Sequence, residues 1–396
     1  MGRRGLSRLV IEDYLGQRVR LQGGEKAILV EVVPPGVDPQ ERLSELAALA
    51  NTAGAVVLDV LVQRREKPDP ATYIGKGKVL ETLAKAREKN ADTLIFGVEL
   101  TPAQARNLEE FTGLKIIDRS QLILDIFALH AGTKEAALAV ELAQLQYLLP
   151  RLRGWGHALS DPGGIVGTMG PGETRLEQGR RAIRRRIQAL ERELREAKRA
   201  REVRRARRRR LGPPEIVLVG YTNSGKSTLF NALTRGDALV ANQLFATLDT
   251  KVRRAFLPTG QIALVTDTVG FIRDLPPQLI PAFHATLEEV REAALIVIVV
   301  DAASPAAFEH LRVVREVLFS EIFRPEDPRP PVVYALNKLD LLETSVAWSR
   351  AEQLLAEAQP GMLISAKTGE NLDEFRKLLA QNLRQKTSAA TVSGYH

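Results

Sequence analysis

Cysteine is absent from all 396 residues. That excludes disulfides, thiolate metal ligands and thiol nucleophiles, and it fits a reducing compartment. Long apolar runs are absent too. The longest, Ala293 to Val300, ends at Asp301 and falls well short of the roughly 18 residues a membrane span needs. The N-terminal MGRRGLSRLV has no apolar core and no cleavage site, and Leu6 stands where a myristoylation signal would carry Ser or Thr. A cytoplasmic location is therefore expected, with at most a minor fraction held peripherally at a membrane.

Composition is otherwise ordinary for a globular protein, at 44% hydrophobic and 26% charged. The chain is long enough for two or three domains. Its formal net charge is +8, but the charge is not spread evenly. Residues 180–210 hold sixteen Arg or Lys against four Glu, a net of +12, so the remainder of the chain stands at −4. One basic element of that size points to a polyanionic partner.

Residues 1–24 read as a basic leader. From 25 to 133 short β-rich runs (27–33, 56–62, 93–97 and 114–117) alternate with helix candidates at 40–50, 76–89 and 101–111, the pattern of a small parallel α/β domain. Its TYIGKGK stretch, residues 72–78, places two glycines around Lys76. It suits either a phosphate loop or a plain turn into a helix.

In residues 134–211, Leu138, Leu142, Leu145 and Leu149 form one apolar seam, and Ile183, Ile187, Leu190 and Leu194 form another. Between them, residues 154–173 hold seven of the 29 glycines. The prediction is an antiparallel helical hairpin with a glycine-rich tip at 153–173, in which Gly163, Gly164, Gly167, Gly170 and Gly172 expose backbone to RNA. Arg204, Arg205, Arg207, Arg208, Arg209 and Arg210 end the second helix. Six such charges in seven residues repel one another without a counter-anion, so they are read as phosphate contacts.

Beyond Gly212 and two prolines, a second α/β pattern occupies 215–384, followed by a tail at 385–396. It opens with GYTNSGKST: Gly220, Tyr221, Thr222, Asn223, Ser224, Gly225, Lys226, Ser227 and Thr228. This fits G-x-x-x-x-G-K-[ST] between a strand and a helix, a loop whose amides cradle phosphates. Lys226 is assigned to the β- and γ-phosphates, and the Ser227 hydroxyl to Mg²⁺.

Four later motifs choose the base and complete the site. DTVG, Asp267 to Gly270 through Thr268 and Val269, supplies Asp267 to Mg²⁺ through water and the Gly270 amide to the γ-phosphate. NKLD brings Asn337, Lys338, Leu339 and Asp340, and Asp340 accepts from both guanine N1–H and the exocyclic amine. SAK brings Ser365, Ala366 and Lys367, with the Ala366 amide aimed at the guanine carbonyl. FATLD, Phe245, Ala246, Thr247, Leu248 and Asp249, brings Thr247 to Mg²⁺ and the γ-phosphate. Each of the first three follows a predicted strand, where open α/β sheets place ligands. Lys226, Thr247 and Gly270 are the catalytic candidates. Many GTPases carry Gln or His directly after DxxG to orient the attacking water. This chain has Phe271, so slow intrinsic hydrolysis is expected, completed by a partner, a rearranged switch or a nearby polar residue in cis.

Together with YIGKGK (73–78), DRSQLILDIFALHAGT (118–133), VELAQLQYLLPRL (140–152), GTMGPGETRLE (167–177) and DTVGFIRDLPPQLIPAFHATLEE (267–289), these motifs resemble the HflX family of ribosome-associated GTPases. The resemblance covers about Ala27 to Gln381. It implies a small α/β domain carrying a helical hairpin, then a Ras-like P-loop NTPase domain. It also implies GTP and Mg²⁺ as ligands, the large ribosomal subunit and its rRNA as partner, and a monomer away from the ribosome. The implied activity is GTP-driven splitting or rescue of stalled or idle ribosomes under stress. Some members are credited with ATP use by the N-terminal domain, so an RNA-remodelling or assembly NTPase is the alternative. The tip departs from the family pattern at Asp161 and Met169, where arginines are usual, and Gly179 replaces an Asp.

Overall fold

Strand formation in this chain follows its β-branched apolar runs, and in residues 25–117 a helix separates each run from the next, so those strands lie parallel. A computed structural model describes residues 21, 24–152, 171–234, 245, 250–258, 260–274, 276, 289–323 and 327–392, with side chains at 171–176, 178, 200–211, 321 and 384–392 left out. The chain divides into two compact units, residues 1–197 with 276–279 and residues 198–275 with 280–396.

The first unit is built on β1 (Lys26–Val33), β2 (Val56–Arg64), β3 (Thr93–Phe96) and β4 (Lys115–Ile117). They form one sheet in the order β2-β1-β3-β4 with all pairs parallel. Helices α1 (Gln40–Thr52), α2 (Lys76–Lys89) and α3 (Pro102–Thr112) connect the strands. The start of α3 shows why the chain turns there. Thr101 and Gln104 form a reciprocal capping box, Pro102 takes the first helical position, and Gly113 ends the helix at φ 69°. Ile28, Val30, Leu94, Phe96 and Leu108 anchor the core between sheet and helices.

Two further helices, α4 (Arg119–His130) and α5 (Lys134–Arg151), precede the long α6 (Pro171–Leu211). The two leucine seams meet: Leu138, Leu142, Leu145, Leu148, Leu152, Ile183 and Leu190 form one buried cluster, with Leu149, Ile187 and Leu194 packed at its edge. An Arg186–Glu141 pair at 2.7 Å ties the same two helices beside the seam. Helix α6 begins at Pro171, so Gly172 lies in its first turn and not in a loop. Proline at the first helical position costs no hydrogen bond, which lets the helix start inside the glycine-rich segment.

The second unit has a six-stranded sheet, β5 (Glu215–Gly220), β6 (Lys251–Phe256), β7 (Ile262–Asp267), β8 (Leu295–Asp301), β9 (Val332–Asn337) and β10 (Gly361–Leu363). Their order is β10-β9-β8-β5-β7-β6, parallel except for the edge pair β6–β7. Helices α7 (Lys226–Thr234), α8 (Ala307–Glu316), α9 (Ser345–Glu357) and α10 (Leu372–Val392) accompany it. The central β5 has β7 on one side and β8 on the other. Strand order reverses at that point, so the crevice beyond the carboxyl end of β5 is where such a sheet takes a ligand.

Candidate functional site

The site begins where β5 runs out. Gly225 has φ 92° and Asn223 φ 60°, so the loop turns back tightly before α7 begins. Glycine's conformational freedom and its small size are both required here. A Cβ on Gly225 would lie 2.1 Å from Asn337 Nδ2, and one on Gly220 would lie 2.3 Å from the Val299 carbonyl oxygen. Lys226, at the first turn of α7, folds back into the loop and donates to the Tyr221 carbonyl at 2.8 Å and the Gly220 carbonyl at 3.2 Å. It is buried. Burial draws its ammonium down to about 8, against the opposing pull of Asp267.

The next strand over, β7, delivers Asp267 at its last position, fully buried. Ser227 donates to Asp267 Oδ2 at 2.7 Å. A hydroxyl and a carboxylate at that spacing are hard oxygen donors. Among the described residues no group of three or more His, Cys, Asp or Glu forms a metal cage. The Ser227–Asp267 pair fits Mg²⁺, which takes one or two protein oxygens and keeps waters and substrate phosphates for the rest. Thr268 is spent differently: its hydroxyl donates to the Leu218 carbonyl at 2.6 Å and fixes β7 to β5. Gly270 sits against the loop, since a Cβ there would lie 2.9 Å from both Lys226 Nζ and Thr222 Cα. Val269 and Phe271 are buried.

Three loop segments beyond β8, β9 and β10 form the other half. Asn337 ends β9 and bonds in two directions. Its Nδ2 donates to the Ser224 carbonyl and its Oδ1 accepts from Ala366 N–H, both at 2.9 Å. The Ala366 amide, expected to serve a guanine carbonyl, is thus engaged with Asn337, while the amide nitrogen of Asn337 retains a second hydrogen for a base. Asp340 accepts from the Ser365 hydroxyl at 2.6 Å, which leaves its other oxygen for an N–H donor. Lys338 takes φ 69° and its Nζ lies 2.7 Å from Asp301 Oδ2. Leu339 is buried and Lys367 exposed.

The structure therefore brings Gly220 to Thr228, Asp267 to Gly270, Asn337 to Asp340 and Ser365 to Lys367 to one edge of one sheet. Phe245 is described and buried. Ala246, Thr247, Leu248 and Asp249, together with Gly163, Gly164, Gly167 and Gly170, lie outside the described residues. Arg204, Arg205, Arg207, Arg208, Arg209 and Arg210 fall within the backbone of α6. Sequence reading missed Asp301, which pairs in register with Asn337 across β8 and β9. Its signal was an acidic residue closing an apolar strand. It also missed the surroundings of Tyr221, whose hydroxyl accepts from Arg273 N–H at 3.1 Å and whose ring stacks on His310 at 3.9 Å.

Known proteins align with this arrangement along the chain. Residues 40–128 match the family described as GTP-binding GTPase N-terminal, 130–208 the GTP-binding GTPase middle region, and 215–338 the 50S ribosome-binding GTPase family. The GTPase HflX of Caldanaerobacter subterraneus subsp. tengcongensis is 46% identical over 386 residues, covering 98% of this chain and 86% of its own. That of Escherichia coli is 40% identical over 375 residues, 94% of this chain and 86% of the other. Among solved structures, SsGBP in complex with GDP superposes with a TM-score of 0.52 at 29% identity, covering 91% of this chain and 99% of that one. The chain belongs to the HflX family of GTPases.

Proposed function

We propose that this protein hydrolyses GTP while docked on the large ribosomal subunit, and that GTP binding and hydrolysis drive the splitting or rescue of stalled or idle ribosomes under stress. The observation that carries the nucleotide half is Asn337. Its side chain ties the phosphate loop at Ser224 to the base-reading loop at Ala366, so phosphate and guanine recognition share one rigid edge. The description of the family matched by residues 215–338 as 50S ribosome-binding supports the partner. The net charge of +12 in residues 180–210 supports an RNA surface for docking.

In this reading the loop amides and Lys226 hold the β- and γ-phosphates, and Asp340 and Asn337 hold guanine. A site that pairs both guanine donors rejects adenine by about 10⁴-fold, because its polar groups would be left unpaired. Mg²⁺, when bound, neutralises phosphate charge, and Ser227, Asp267 and Thr247 are the residues that would hold it. Water attacks the γ-phosphorus as the bond to the β–γ bridging oxygen breaks, giving GDP and inorganic phosphate. Lys226 and the Gly270 amide stabilise the charge that develops. The ribosome raises the rate by ordering this site.

The test is GTP turnover by the whole protein with and without purified large subunits. A rise of tenfold or more is expected, since activation in trans is worth about 10³–10⁵ in related systems. Turnover unchanged by subunits overturns the docking-activated reading.

One observation favours a second reading, ATP use by the first unit. Helix α2 is preceded by Gly75, which gives it no side-chain cap, and a Cβ on Gly75 would lie 2.9 Å from Arg65 Nη1. An uncapped helix start beside a guanidinium and Lys76 suits a phosphate. ATP hydrolysis that survives Lys226→Ala would establish it; ATP hydrolysis lost with Lys226 would assign it to the second unit.

A further inference from the structure

Phe271 occupies the place where a water-orienting Gln or His is usual, and it is buried. Its backbone is committed on both sides, donating to Gly220 and accepting from Thr222. The group that orients water must come from elsewhere in the site. We infer that it is the hydroxyl of Thr222, acting in cis from the phosphate loop. This assignment rests on the reading that the site hydrolyses GTP.

Position singles Thr222 out. A Cβ on Gly270 would lie 2.9 Å from Thr222 Cα, 3.0 Å from Thr222 Cγ2 and 2.9 Å from Lys226 Nζ. Thr222, Gly270 and Lys226 therefore meet at one point. That point joins the lysine and the amide assigned to the γ-phosphate. Thr222 is 7% exposed, and its Oγ1 has no hydrogen-bond partner among the described residues. A buried hydroxyl left unpaired is costly and rare unless a ligand meets it.

The neighbouring hydroxyls do not qualify. Ser227 is spent on Asp267 and Thr268 on the Leu218 carbonyl. Ser224 Oγ is also buried without a partner among the described residues, but it faces the other way. It lies 2.9 Å from where a Gly220 Cβ would stand, a position that touches the Val299 backbone of β8. Thr222 lies on the β7 side, where its own N–H donates to Phe271 O at 2.7 Å.

A hydroxyl can accept one hydrogen bond and donate another. Thr222 Oγ1 accepts from the attacking water and donates to a γ-phosphate oxygen, which fixes the water in line. The oxygen–phosphorus bond forms as the bond to the GDP oxygen breaks, and the proton of water passes to a γ-phosphate oxygen. Thr222 ends the cycle with its own proton. Phosphoryl transfer asks for positioning more than for a strong base, so a neutral hydroxyl suffices.

Thr222→Val, Thr222→Ala and Thr222→Ser in the full chain test this. Val keeps the shape of Thr and removes only the hydroxyl; Ser keeps the hydroxyl and removes the methyl. GTP affinity is read with a non-hydrolysable analogue, and turnover under single-turnover conditions. Val and Ala are expected to lose about tenfold or more in rate, as when one donor to a transition-state oxygen is removed. Their affinity should stay within about twofold, and Ser should stay near wild type. Wild-type turnover by Thr222→Val, or an equal loss in Thr222→Ser, overturns the assignment by showing that shape is what matters. Wild-type protein that binds GTP without turning it over, alone and with large subunits, overturns the hydrolase reading and the assignment with it.

Discussion

Tyr221 and Phe271 are joined by a parallel β-bridge that extends β5 and β7 past their ends. Phe271 N–H donates to the Gly220 carbonyl at 3.0 Å, and Thr222 N–H donates to the Phe271 carbonyl at 2.7 Å. The residue after DxxG is therefore part of the sheet's continuation, and its side chain is 3% exposed. Phe271→Gln is expected not to raise intrinsic GTP turnover, because the pinned backbone keeps that side chain inside. It should instead lower stability by about 1–3 kcal/mol for a buried amide without partners. Single-turnover hydrolysis and chemical denaturation check both halves. A rate gain of tenfold or more would mean that the bridge opens in the working state.

Asp301 reaches Lys338 from the neighbouring strand at 2.7 Å, with both side chains partly exposed. The Lys338 backbone is left-handed at φ 69°, and its ammonium is directed at this partner. Asp301→Ala should weaken GTP affinity by roughly two- to fivefold, the range for a half-exposed pair. Turnover at saturating GTP should not change, since the pair lies at the proposed base-reading loop and not in the phosphate loop. A split between KM and kcat in steady-state kinetics is the measurement. A loss in kcat at constant KM would show that Asp301 acts on the chemistry instead.

Asp267 to Gly270, Asn337 to Asp340 and Ser365 to Lys367 were legible because each is a local pattern at the end of a strand, and open sheets gather strand ends at one edge. The helical seams were legible from spacing alone. Helix α4 was not. Every residue from Arg119 to Phe127 is buried, polar ones included, so it shows no apolar face to read. Its only local signal is Asp118, which caps it by accepting from Gln121 N–H at 2.9 Å. Asp301 was equally hidden, since its role arises from register between β8 and β9 and not from any neighbour in sequence. The double engagement of Asn337 has the same origin, because Ser224 and Ala366 meet only once the strands are side by side.

Arg151 is the counter-charge of a deeply buried acid. Its Nη2 donates to Asp118 Oδ2 at 2.9 Å and to the Leu100 carbonyl at 2.7 Å, and its guanidinium lies 3.5 Å above the Tyr147 ring. Burial raises the Asp118 carboxyl above its usual range, with Arg151 the leading opposing influence. A raised folded value means that the native state holds the proton longer than the unfolded chain. Stability from this group is therefore lost as pH rises from about 4 through the raised value. Arg151→Met should raise it further and cost about 3–5 kcal/mol at neutral pH, the usual result of orphaning a buried charge. The deficit should shrink on acidification through the raised value towards pH 4, where the native carboxyl is protonated with or without Arg151. Hydrogen exchange of residues 102–130 at pH 7 and at lower pH, after correction for intrinsic rates, follows it. A deficit independent of pH would assign the loss to packing over Tyr147.

The arginine run at the end of α6 separates electrostatic docking from shape. Arg204, Arg205, Arg207, Arg208, Arg209 and Arg210 are six charges within seven residues of a helix. If these residues meet phosphates, binding to large subunits releases counterions, and its logarithm falls linearly with that of salt. Neutralising them to Gln should weaken binding at low salt and reduce the slope by about one for each phosphate that is no longer neutralised. Affinity for GTP should hold, because the nucleotide edge is formed by residues 220–228, 267–270, 337–340 and 365–367. Sedimentation with large subunits across a salt series gives both numbers. A slope equal to wild type at reduced affinity would mean that the arginines hold the helix straight without touching RNA, and unchanged binding would remove them from the docking surface.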